Sequence, residues 1–118
     1  MSCLLIWGTV FKRVFETRQT NAIGETLTLG SIYLPTNFRK RVLILNGQQD
    51  FFYCQGNCLA GRGDVTADAL EMFYPNRDAS KSQAVTIPDV GHNINFHYGR
   101  LEVFERMLEF IAGTGIDA

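Results

Sequence analysis

Two short apolar runs limit what this chain can fold into. Val42-Leu43-Ile44-Leu45 is closed by Asn46-Gly47, and Ala84-Val85-Thr86-Ile87 is stopped by Pro88. Runs of branched residues bounded by turn signals, without regular polar alternation, read as strands buried on both faces. Between them lies a loop holding Gly56, Gly61 and Gly63, then the segment 67–74, where Leu70, Phe73 and Tyr74 share a helical side. Thr66 is placed to cap that helix and Pro75 to end it. After the second run, Leu101, Phe104, Met107, Leu108 and Ile111 recur mostly at three- and four-residue steps. Glu102, Glu105, Arg106 and Glu109 fall between them, and Gly113 stands just past the end. Strand, helix, strand, helix over residues 39–118 predicts α/β architecture with parallel strands joined by a right-handed crossover. Two strands alone make no stable sheet. The expectation is therefore a partial parallel sheet with flanking helices, wanting cover from a partner chain or from further polypeptide.

At 118 residues the chain suits one small domain or part of a larger one. Eleven Lys and Arg against twelve Asp and Glu leave a net charge of −1, without the basic excess of a general nucleic-acid binder or a ligand for anionic membranes. Residues 1–38 read as a lid-like or irregular segment. LLIWGTVFKRVF has helix-compatible apolar positions that Gly8 and the β-branched residues work against; in the following NAIGETLTLGSIYLPTNF, Gly24, Gly30 and Pro35 interrupt any long element, and only a short helix over 25–32 is predicted. The run CLLIWG is too short to span a membrane and has no cationic residue before it, so the default expectation is a soluble, cytoplasmic chain. Arg39-Lys40-Arg41 reads as a solvated lead-in to the first strand.

Functional groups in parallel α/β sheets collect in the loops after the carboxyl ends of the strands. Asp50 stands five residues after Leu45, in NGQQD, and His92 stands five residues after Ile87, in PDVGHN. If the strands are neighbours, the loops emerge side by side. The carboxylate can then fix one imidazole nitrogen and leave the other free as a base. Gly47 and Gly91 each permit a tight turn just before these positions.

Here the residues reach a resemblance. NFRKRVLILNGQQDFFYC followed by VTIPDVGHNINFHYGRLEVFERMLEFI resembles the C-terminal portion of an α/β-hydrolase. The likeness covers about residues 39–112 and extends less firmly into TLTLGSIYLPTNF, which is similar to the end of a lid segment. It implies Asp50 as the acid and His92 as the histidine of a Ser-His-Asp triad, in the family's chain order, with the final helix packed on the sheet. It implies an ester or related small-molecule acyl substrate, with no cofactor and no metal.

The departure is at the nucleophile. No G-x-S-x-G occurs: Ser31 in LGSIY has the wrong flanks, and Ser2, Ser80 and Ser82 stand in no strand–turn–helix context. The expectation is an acid and a base without their serine, inactive alone. The alternative is a non-catalytic truncated or partner-binding α/β domain. Cys54 offers a weaker alternative as a thiolate nucleophile for His92. Cys54 and Cys58, in FYCQGNC, admit either a local disulfide or two free thiols, and no zinc spacing surrounds them. His97 with Asp89 matches no metal motif. Phe51, Phe52 and Tyr53 can line an acyl pocket or pack on the neighbouring loop, and Asn93 and Asn95 can brace the histidine loop through backbone hydrogen bonds.

Overall fold

The computed structural model describes residues 12–20, 22–30, 34–61 and 63–113. The chain divides into two units, Met1–Leu34 and Pro35–Ala118. The division falls ahead of the 38/39 boundary read from the sequence, because residues 35–38 are tied into the second unit. Thr36 N donates to Phe73 O at 2.8 Å, and the Phe38 ring meets Tyr74 edge-on at 6.4 Å.

In the first unit, residues 12–16 are helical and α1 spans Ile23–Thr28. Ala22 N donates to Glu25 Oε2 at 3.2 Å, which satisfies an otherwise unpaired donor at the helix start. The helix expected over 25–32 thus begins earlier and tightens into a 3₁₀ turn at 29–30. The greater part of LLIWGTVFKRVF lies outside the described residues.

The second unit is a mixed α/β assembly. Strands β1 (Leu43–Gly47) and β2 (Gln83–Ile87) pair in parallel, from Leu43 opposite Gln83 to Gly47 opposite Ile87. The crossover carries a one-turn helix, α2 (Phe51–Cys54), and α3 (Val65–Phe73), which packs on both strands. After β2 come a 3₁₀ turn at Ile94–Phe96 and α4 (Arg100–Ala112). Ile87, Val90 and Val103 form the buried core, with Leu45, Val85 and Ile94 packed against it. Among the described residues no helix is long and apolar enough to cross a membrane.

Three expectations are corrected. The strands are not buried on both faces: their residues are half-buried, and only Gly47 and Ile87 are fully buried, because two strands and two helices leave the sheet part-covered. Thr66 is not the cap of α3. Asp64 is, accepting from Thr66 N at 2.9 Å and from Thr86 Oγ1 at 2.8 Å, while the Thr66 and Thr86 hydroxyls meet at 2.6 Å. With Thr86 donating to Asp64, Thr66 donates to Thr86, and a chain of hydroxyls ties α3 to β2.

The third correction is the face of α4. Val103 is 1% exposed, whereas Leu101, Leu108 and Ile111 are 69%, 66% and 69% exposed. The helix start fixes that rotation. A Cβ on Gly99 would come within 2.6 Å of Val90 Cγ2, so the chain enters α4 pressed onto the core and turns Val103 inward.

Helix ends are secured by side chains and by one glycine. Gly113, at φ 74°, closes α4 by donating to the Glu109 and Phe110 carbonyls. Arg41 Nη2 donates to Ile111 O at 3.0 Å and its guanidinium lies 5.0 Å from the Phe110 ring, so this member of the basic triplet clasps a helix C-terminus. Beyond α3, Arg77 returns to hydrogen-bond Glu71, which holds that carboxyl below the usual glutamate range.

Candidate active site

The site begins where β1 and β2 end on the same rung. The ladder continues past the strands: Gln48 N donates to Ile87 O and Gln49 N to Val90 O, each at 2.8 Å. This brings the two loops into backbone contact at Gly47. A Cβ there would lie 2.3 Å from Val90 O, so the glycine is required by close approach.

Asp50 follows and caps α2. It is 2% exposed, and both carboxylate oxygens are engaged: Oδ1 accepts from Tyr53 N at 3.0 Å, and Oδ2 lies 2.9 Å from His92 Nδ1. A carboxylate only accepts, so Nδ1 carries the proton and the neutral ring presents Nε2 as its basic nitrogen. The His92 side chain is 38% exposed. Its loop turns through left-handed residues on either side, Asp89 at φ 54° and Asn93 at φ 57°. The Asn93 carbonyl accepts from Phe96 N at 2.9 Å, opening the 3₁₀ turn. Gly91 faces the His97 ring, whose Cε1 would stand 3.3 Å from an added Cβ.

The imidazole is flanked by aromatic rings. Phe52 and Tyr53 stand 4.6 and 5.7 Å from it, centroid to centroid, and both rings are largely exposed. A shallow cleft of about 350 Å³ opens beside the pair, with Tyr53, Leu45, Ile94 and Met107 among its walls. Oriented base, buried carboxylate and apolar wall form an arrangement that can draw a proton from a hydroxyl brought to Nε2.

Cys54 and Cys58 form a disulfide, with Cα atoms 4.7 Å apart, so Cys54 has no thiol and the thiolate alternative is withdrawn. Asp89 accepts from Gln49 Nε2 at 3.3 Å, and among the described residues no group of three acidic, His or Cys side chains could hold a metal. Ser80 donates to Asp78 Oδ1, and Ser82 bonds Asp78 O and Val42 N at the opposite end of the strands. Ser2 and Ser31 lie outside the described residues. Sequence reasoning missed Asn46, which it took as half of a turn. Its Nδ2 lies 3.2 Å from Cys58 Sγ and 3.5 Å from Cys54 Sγ, and an Asn-Gly pair gives no sign of such a contact.

Compared with known proteins, the chain matches no family model, no curated protein and no solved structure.

Proposed function

We propose that this chain carries the acid and base of a Ser-His-Asp triad, on the C-terminal portion of an α/β-hydrolase-like fold. The observation that carries this reading is the 2.9 Å contact between the buried Asp50 carboxylate and His92 Nδ1, at the carboxyl ends of adjacent parallel strands. His92 Nε2 takes the proton of a serine hydroxyl as it attacks an acyl carbonyl. Asp50 holds the ring and stabilises the imidazolium, and His92 then returns the proton to the leaving group. The substrate class is an ester or related small acyl compound. The serine elbow and oxyanion hole must be supplied by other polypeptide, so the chain alone is inactive.

A second reading, a partner-binding α/β domain without catalysis, is favoured by the exposed Leu101, Leu108 and Ile111 on α4.

One experiment separates these readings. The purified chain is treated with a fluorophosphonate probe and assayed on short-chain aryl esters, while His92 Nδ1–H is observed by NMR. No labelling, with a downfield Nδ1–H signal lost in Asp50→Asn, is the expected outcome. Labelling that disappears in His92→Ala would sink the inactive-alone reading, and absence of the Nδ1–H signal would sink the triad assignment.

A further inference from the structure

The segment Cys54–Cys58 sits immediately beyond the acid. Its two ends are held very differently. Cys58 is fully buried and pinned by the backbone: its N donates to Gln48 O at 2.7 Å and its carbonyl accepts from Val65 N at 3.0 Å. It therefore stays fixed to the β1 exit and the start of α3 with or without its sulfur partner. Cys54 is half-buried and ends α2, the four-residue turn that Asp50 caps. So short a helix has no stability of its own.

That turn is what aims the carboxylate. The Asp50 carbonyl accepts from Cys54 N at 3.2 Å and from Gly56 N at 2.9 Å, while Oδ1 accepts from Tyr53 N. If α2 unwinds, Oδ1 loses its donor and the backbone that orients Oδ2 toward His92 is released. The disulfide ties the far end of this turn to the pinned Cys58. Asn46, inside β1, donates to both sulfurs and seats the bridge on the sheet.

We infer that the Cys54–Cys58 bridge, seated on Asn46, is a redox-sensitive positioning device for Asp50. Closed, it holds the carboxylate on His92; opened, it frees α2 and weakens that hydrogen bond. The inference rests on the reading of Asp50 and His92 as an acid–base pair.

The reductant is a dithiol, which supplies two electrons and two protons. Its first thiolate attacks Sγ of Cys54, the less buried residue. The S–S bond breaks and the electron pair leaves on Cys58 Sγ, where Asn46 Nδ2 already stands 3.2 Å away to stabilise the thiolate. The second thiolate attacks the mixed disulfide, displaces Cys54 and departs as the oxidised, cyclic disulfide. Both protons lost by the reductant end on Cys54 and Cys58. The Cys58 thiol then has an acceptor in place, Gly47 O at 3.2 Å.

The test observes His92 Nδ1–H by NMR in the full chain, before and after dithiothreitol, with the amides of β1, β2 and α4 as a control for the fold. A downfield signal that weakens on reduction while those amides stay unmoved is the expected result. An unchanged signal overturns the positioning role and leaves the acid–base pair standing. Absence of the signal from the bridged chain overturns the pair itself. Loss of the control amides together with the signal assigns the bridge to the stability of the whole unit and overturns the inference. So does alkylation and peptide mass measurement showing Cys54 and Cys58 both as free thiols in air-oxidised protein. Asn46→Ala retains both cysteines and is expected to slow reduction about tenfold, the order expected for one hydrogen bond to a charged group. Equal rates remove Asn46 from the device.

Discussion

At Gly47 a single hydrogen atom decides whether the two loops can meet. The carbonyl that a methyl group would strike, Val90 O, belongs to backbone whose neighbouring side chain is fully buried, so it has little room to retreat. Gly47→Ala is expected to cost about 2–3 kcal/mol, the upper part of the range for forcing extra volume into packed structure. It should also separate Asp50 from His92. Urea denaturation reads the first effect and the His92 Nδ1–H signal the second; a near-neutral Gly47→Ala would mean that the loops are not in backbone contact. The meeting of Asp50 with His92 was legible because equal offsets from two parallel strands leave little freedom in where the residues emerge. The need for Gly47 was legible only as a turn, since the clash it avoids is with a residue 43 positions away. The cap of α3 was misassigned to Thr66 for a similar reason. Asp64 and Thr66 are both competent caps, and Thr86 from β2 is the tertiary donor that joins Asp64. Spacing likewise allowed the disulfide without deciding it, because a sequence does not show which sulfurs are brought together.

Among the elements, α4 shows how a correct helix can be assigned the wrong face. Its strongest periodicity runs through Leu101, Phe104, Leu108 and Ile111, yet Val103 is the buried residue, and Met107 reaches only the cleft wall. Periodicity reports which residues could be buried together; the seating of Gly99 against Val90 decides which are. The consequence for stability is direct. Val103→Ala is expected to cost about 2 kcal/mol through lost burial and a residual cavity. Leu108→Ala, removing the larger side chain, should fall within about 0.5 kcal/mol of the parent. Thermal or urea unfolding of the two variants side by side checks the helix rotation, and a larger loss for Leu108→Ala would contradict it.

For the molecule as a whole, the parallel α/β arrangement was legible from the order of strand and helix signals, but the depth of burial was not. Local sequence marks a strand as apolar without showing how many layers are available to cover it. Here β1 and β2 remain half-buried while α4 turns three large aliphatic residues outward. Apolar surface of this kind drives association in water. Sedimentation velocity from micromolar to submillimolar concentration is expected to show a rising average mass, reduced in a Leu101→Lys, Leu108→Lys double variant. A strictly monomeric parent across that range would show that the exposed stripe does not drive self-association.

The clasp between Arg41 and Ile111 has a geometric consequence. It places the end of α4 beside the approach to β1, at the edge of the strands opposite Asp50 and His92. The two edges are separated by about the length of a five-residue strand, roughly 16 Å. Gly113, where an added Cβ would stand 3.5 Å from Arg41 Nη1, therefore lies at the end of the strands away from His92, so a pull applied at Gly113 meets the unit about a strand's length from the imidazole.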